Sequence, residues 1–226
     1  MAKTAALVMG LCLCFLFTGT VFGETRTYKK TVGEEEFLVT CDIKDRADGY
    51  RIHIAETRDG QTVITEELDV DRGFSTRSWS IVDRDKGIEV AAEREGKILH
   101  ITKTENGRVT RKDSRIDEDP WYQLFALSFE KFAASDREKV TFWSVNPDEA
   151  RPYEFSLTKQ EVQRIPASGS SMTCTHIRIA LTGFLAAFWH ADCWHRRGDG
   201  LFARYEGING RPGAPLTVVQ LLQTGE

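Results

Sequence analysis

Residues 48–60 read DGYRIHIAETRDG, and residues 86–107 read KGIEVAAEREGKILHITKTENG. The dipeptides Asp48-Gly49, Asp59-Gly60, Lys86-Gly87, Glu95-Gly96 and Asn106-Gly107 punctuate the whole stretch. Glycine and asparagine tolerate the positive φ that tight hairpin turns require, so each pair marks a chain reversal. Between the turns, Ile52 and Ile54 alternate with His53 and Ala55, and Ile88 and Val90 alternate with Glu89 and Ala91. A period of two is the pattern of a strand with one face buried. Turns at these intervals between alternating segments describe an antiparallel meander.

Working outward, strands are predicted at 37–44, 50–58, 61–70, 76–83, 87–94, 97–104 and 108–114. The period then changes. Asp119 is placed as an N-cap with Pro120 at the first helical position, where its missing N–H costs nothing. Trp121, Leu124, Phe125, Phe129 and Phe132 follow at helical spacing, predicting one main α-helix near residues 120–134. Strands resume at 140–145, 153–157, 160–165, 173–181, 187–196, 201–206 and 217–222. Residues 166–171 are serine-rich and predict a loop; residues 207–215 predict a turn segment. The fold class expected is mainly β, a large curved antiparallel half-barrel of about twelve strands, since sheets of that size curl rather than stay flat. One helix covers only part of such a concave face.

The amino terminus predicts export. Lys3 is a short positive region, Ala5 to Phe17 form an apolar core, and Val21-Phe22-Gly23 offers a cleavage site before Glu24. The apolar run is too short to span a bilayer comfortably. Leu11 and Leu13 precede Cys12 and Cys14 where lipidation would need a small residue. The expected organisation is a signal peptide at 1–23 and one β-rich domain at 24–226, soluble in the periplasm or extracellular space, with no stable membrane span after cleavage. Removing Lys3 takes the formal charge from −4 to −5. Basic and acidic residues are interleaved, which argues against a nucleic-acid partner and leaves lipids, other apolar ligands or envelope proteins.

Cys41, Cys174 and Cys193 remain in the mature chain. A hairpin closing around Gly183-Phe184 would set Cys174 opposite Cys193 and favour a disulfide in an oxidising compartment. The alternative is three buried thiols acting as small hydrophobes.

The order of signal peptide, long meander, helical segment and further strands ending in a hairpin resembles the half-barrel class typified by the periplasmic lipoprotein-localisation factors. The segment FWHADCWHRRGDGLFARYEG at 188–207 is also similar to the Trp-rich strand, turn and Arg-Tyr-Glu strand of uncharacterised exported families of this architecture. The resemblance implies acyl chains held in the concave face. The carrier proteins have several covering elements there, whereas this chain has one clear helix.

His190, Asp192, Cys193 and His195 form the densest cluster of reactive side chains, with residue types that bind zinc. On a strand, however, His190 and Asp192 face one way while Cys193 and His195 face the other. Cys193 and His195 as nucleophile and base stand about 7 Å apart on the pleat, too far for direct proton transfer. No phosphate loop, dinucleotide fingerprint or nucleophile elbow occurs. No catalytic residue and no cofactor is assigned. The aromatic stripe Trp121, Phe125 and Phe129, the pair Trp189 and Trp194 on opposite strand faces, and Arg196 and Arg204 near the hairpin are the ligand-binding candidates. Three functions follow from these readings. The leading one is a non-enzymatic exported protein binding an apolar or amphipathic ligand in the concave face. The others are an envelope interaction module with a closed dry core, and a metal- or thiol-dependent enzyme using the His190–His195 region.

Overall fold

Residues 23–167, 170–187, 189–208 and 213–225 are described by a computed structural model. The expected signal peptide up to residue 22 lies outside the described residues. So do residues 168–169 of the serine-rich loop and 209–212 of the late turn segment.

Eight strands form the amino-terminal meander: β1 (Gly23–Val32), β2 (Glu35–Arg46), β3 (Gly49–Arg58), β4 (Gln61–Asp71), β5 (Thr76–Asp83), β6 (Ile88–Glu95), β7 (Ile98–Glu105) and β8 (Arg108–Arg115). Two short helices follow, α1 (Phe125–Ser128) and α2 (Glu130–Ala134). The second meander comprises β9 (Lys139–Asn146), β10 (Arg151–Ala167), β11 (Ser170–Leu181), β12 (His190–Arg196), β13 (Phe202–Ile208) and β14 (Leu216–Gly225). All pairings are antiparallel, in the order β8-β7-β6-β5-β4-β3-β2-β1-β14-β13-β12-β11-β10-β9. The result is a mainly β, open sheet of 14 strands whose edges, β8 and β9, are neighbours in sequence. No helix among the described residues is long and apolar enough to cross a membrane.

Four of the five predicted glycines take positive φ in hairpin turns, as at Asn106-Gly107, where φ is 52° and 76° and Glu105 pairs with Arg108, whereas Gly49 is already the first residue of β3 and pairs with Arg46. The central strand β1 was invisible to the hydrophobic pattern. Its buried positions are Arg26 and Tyr28, flanked by the partly buried Lys30, so charged side chains occupy the face that periodicity would read as apolar. Where two short strands were expected between 153 and 165, a single 17-residue β10 runs through an irregularity between Lys159 and Val162.

Two expectations are corrected. The helix does not start at Asp119. Residues 120–122 are extended and lie along β9: Trp143 N–H donates to Pro120 O, and Tyr122 N–H donates to Trp143 O, both at 2.8 Å. On its other side Trp121 O accepts Thr76 N–H at 2.7 Å. Satisfying backbone groups at the sheet edge outweighs helix propensity here. Helix begins only at Phe125, without a side-chain cap. Nor do Cys174 and Cys193 pair. Cys174 stands opposite Arg196 and Cys193 opposite Ile177, so facing residue numbers sum to 370 rather than the expected 367. The loop carries a 3₁₀ turn at Gly183–Ala187, and the odd shift in register turns the two cysteines to opposite faces. Cys41, Cys174 and Cys193 are all free and buried.

The inward face of nearly every strand wraps around the segment 116–134. Trp121, Leu127 and Phe129 of this segment and Phe142, Leu157, Ile177 and Ile179 of the strands around it are fully buried. A second, small cluster of Ile165, Cys174 and Ala203, with Met172 and Trp194, lies on the outward face of β10–β13.

Candidate functional site: the aromatic end of the half-barrel

The two ends of the sheet differ. Helices α1 and α2 pack across the end that carries the β4–β5 and β12–β13 turns. Ser128 Oγ donates to Phe74 O at 3.1 Å, and Phe202 N–H donates to Glu130 Oε1 at 3.2 Å. Lys131 Nζ reaches Arg72 O. Gly200 allows this closure, because a Cβ there would lie 2.3 Å from Glu130 O, and its φ is 75°.

Beneath this cap lies a charged network. Arg26, buried on β1, donates to Glu24 at 2.6 Å and to Glu130. Burial works against its charge, but the two carboxylates more than offset that and hold it protonated. Burial raises the Glu130 carboxyl above its usual range, with Arg26 opposing. His195 Nδ1–H donates to Gly200 O at 2.8 Å, while its Nε2 is buried without a partner among the described residues. Burial lowers the His195 imidazole to about 4, so it is neutral at physiological pH. The same desolvation pushes the Cys41 thiol to about 12 and the Cys193 thiol higher still. Neither thiol is a ready nucleophile.

Toward the opposite end, which carries the β3–β4, β5–β6 and β11–β12 turns, the aromatic side chains are less completely buried. Phe125 stacks on Phe129 with ring centroids 5.1 Å apart and meets Phe142 edge-on at 5.6 Å. Phe155 stacks on Phe142 at 5.4 Å and meets the Trp189 ring at 5.4 Å. Phe129 and Phe142 are sealed, whereas Tyr122, Phe125, Phe155 and Trp189 are half-buried. Trp189 is fixed in place by its Nε1–H, which donates to Ile208 O at 2.7 Å. Phe184, in the 3₁₀ turn at this end, is 83% exposed.

Strands β1–β5 give this end a polar wall. Lys30 Nζ pairs with Glu56 at 2.6 Å, and Trp79 Nε1–H donates to Glu66 Oε2 at 2.7 Å. Burial pushes the Glu66 carboxyl up to about 7, against the Trp79 hydrogen bond, with the Glu56 charge adding to the rise. Aromatic rings on β9, β10, α1 and the β11–β12 connection thus share the concave face with a lysine and two carboxylates, a combination suited to an amphipathic molecule.

The candidates read from the sequence fall into three places. Trp121 and Phe129 are fully buried core, and Phe125 and Trp189 are partly buried. Trp194, Arg196 and Arg204 belong to the outward face. Trp194 stacks on His176 at 5.1 Å, Arg196 binds Asp199, and Arg204 Nε–H donates to Glu206 at 2.7 Å. His190 is exposed on the outward face, while Cys193 and His195 are buried on the inward one, so the three do not converge. Among the described residues, Asp117, Asp119 and Glu154 bring their carboxylate oxygens within 4.8 Å of one another. Trp143 Nε1–H, Thr141 Oγ1–H and Thr182 Oγ1–H donate to them in turn. Sequence reasoning missed Tyr122, Phe155, Lys30, Glu56 and Glu66 as parts of a site. Parity along β4 held the one usable signal, because Glu66 falls on the face shared by Ile64, Leu68 and Val70.

The chain matches no family model and no curated protein. Among solved structures it is similar to a β-barrel-like protein of a domain of unknown function, DUF1849, from Brucella abortus. That likeness has a TM-score of 0.59 at 10% identity and covers 90% of this chain and 97% of the other. A second similarity is to the hypothetical lipoprotein YmcC from Escherichia coli K12, with a TM-score of 0.36 at 10% identity over 88% and 86%. The first likeness shows a shared β-barrel-like fold over nearly the whole described chain.

Proposed function

We propose that this chain is an exported, non-enzymatic protein of the cell envelope that binds an apolar or amphipathic ligand, such as a lipid or acyl chain, in its concave face. The observation that carries this reading is the graded burial of one continuous aromatic row. Phe129 and Phe142 are sealed at the helix end, and Phe125, Phe155 and Trp189 keep exposed surface at the other. Half-exposed rings that pack against a finished core are where an apolar chain gains contact without displacing anything. The Lys30, Glu56 and Glu66 wall supports an amphipathic ligand over a purely apolar one. The apolar run from Ala5 to Phe17 supports export, and no cofactor is required by this role.

The test is native mass spectrometry of the mature protein purified from the exporting compartment, followed by displacement of a hydrophobic dye by fatty acids. Extra mass that vanishes on denaturation is expected. Phe155→Ala should weaken displacement about tenfold, the cost of losing roughly one buried ring contact. A bare mass together with no displacement would sink the proposal. It would leave the second reading, an envelope interaction module with a dry core, which the complete burial of Trp121, Phe129 and Phe142 favours.

A further inference from the structure

The two edges of the sheet are not equivalent. At β9 the edge is occupied, because Pro120 and Tyr122 bond to both backbone groups of Trp143. Strand β8 pairs with β7 alone. Ile116 N–H donates to Lys97 O at 2.8 Å, which fixes the alternation along this ladder. Even-numbered residues of β8 turn their backbone groups toward β7, and Val109, Arg111, Asp113 and Arg115 turn theirs away. Among the described residues, nothing hydrogen-bonds those outward N–H and C=O groups. An open edge of this length is a template for another strand.

Its side chains define what kind of strand. The sequence of β8 is RVTRKDSR, with four cations, Arg108, Arg111, Lys112 and Arg115, against the single carboxylate of Asp113. Asp113 is itself bonded to His100 at 2.8 Å. This basic stripe belongs to a chain whose formal net charge is −4. Seven of its eight residues are exposed and the eighth is partly so, and none contributes to the core. Val109, 51% exposed, and Ile98, 41% exposed, lie on the outward face at opposite ends of the β7–β8 hairpin. A shallow hollow of about 390 Å³ lined by Glu95, Lys97, Ile98, Asp113 and Arg115 sits beside the latter.

We infer that the free edge of β8 is a docking strand for an acidic, extended segment of a partner protein, which adds to the sheet by backbone pairing. Four outward residues can exchange N–H···O bonds along an incoming strand of about eight residues. A second copy of this chain is the disfavoured occupant, since pairing β8 with β8 would bring together two strands that each carry four cations and one carboxylate. The charge that disfavours self-pairing is the charge that selects glutamate and aspartate in the partner. This inference is independent of ligand binding in the concave face.

The test uses the whole mature protein and a fluorescein-labelled octapeptide of alternating glutamate and valine, read by fluorescence anisotropy. Three controls accompany it: a lysine-for-glutamate copy, a copy N-methylated at alternate amides, and the variants Val109→Pro and Arg111→Glu. Proline at 109 removes an outward N–H that the fold does not use, so thermal melting should match the parent. Binding of the acidic peptide is expected, weakened at least about tenfold by N-methylation, by Val109→Pro and by Arg111→Glu, and weakened by salt. Failure of the acidic peptide to bind at about 1 mM, the weak end of specific recognition, would overturn the inference. Binding indifferent to N-methylation and to Val109→Pro would overturn it too, as mere charge attraction. Self-association lost in Val109→Pro would overturn the choice of occupant.

Discussion

His195 and Glu66 are two buried titratable side chains whose environments push in opposite directions across one pH range. The imidazole is held near 4 in the folded chain against an ordinary 6.5. Below about 6.5 the unfolded chain therefore takes up a proton that the folded one refuses, and stability is lost as pH falls toward 4. The loss amounts to about 3 kcal/mol over that window. Glu66 is held near 7 against an ordinary 4.5. The folded chain keeps the proton longer than the unfolded one, so its contribution is full below about 4.5 and is lost as pH rises through 7. The two effects cancel in part, and we predict a nearly flat stability profile between about pH 4.5 and 6.5. In Glu66→Gln the denaturation midpoint should fall on acidification; in His195→Asn it should rise. Parallel midpoint-against-pH curves for all three proteins would refute this. Neither residue could have been singled out for such a role from the sequence. Strand parity says which way a side chain points, but whether a titratable group is desolvated depends on what remote parts of the chain pack against it, as Phe129 does against His195.

At the scale of elements, α2 is held by charge as much as by packing. Arg26 bridges Glu24 on its own strand and Glu130 on the helix, and Phe202 N–H completes the Glu130 shell. Arg26→Met leaves a buried carboxylate unpaired and should cost about 3–5 kcal/mol of stability. Arg26→Met combined with Glu130→Met removes both charges, and most of that loss should be recovered. Chemical denaturation of the two variants checks this, and equal destabilisation would disprove the coupling. The hairpin turns were legible because φ at Asn106 and Gly107 is a local demand that local residues answer. The helix start was misread because Asp119 and Pro120 carry a local capping pattern while the adjacent β9 edge offers Pro120 and Tyr122 a long-range partner. Cys174 and Cys193 were misread for a related reason. Register across β11 and β12 depends on loop length, and the 3₁₀ turn at Gly183–Ala187 left no periodic signal.

For the molecule as a whole, the sheet order turns the chain ends inward. β1 and β14 lie side by side in the middle of the sheet, joining two meanders that each run outward to an edge. Ending the chain at Pro215 removes β14, a central strand rather than a trimming. The truncated protein should lose cooperative thermal unfolding instead of melting a few degrees earlier. A sharp transition close to the parent's would contradict this role for β14. The meanders could be anticipated from turn spacing, whereas their junction could not, because it pairs residues some 200 positions apart through a strand with a charged buried face. The same topology makes the connection from β8 to β9 a bowstring. Residues 116–138 run from one edge of the sheet to the other through its packed interior, and their length limits how far the edges can spread. A few residues added to that string would relax the bow and loosen the interior packing, and a few removed would draw it tight. The spacing of the two edges is therefore written in the length of one connection as much as in the curvature of the strands.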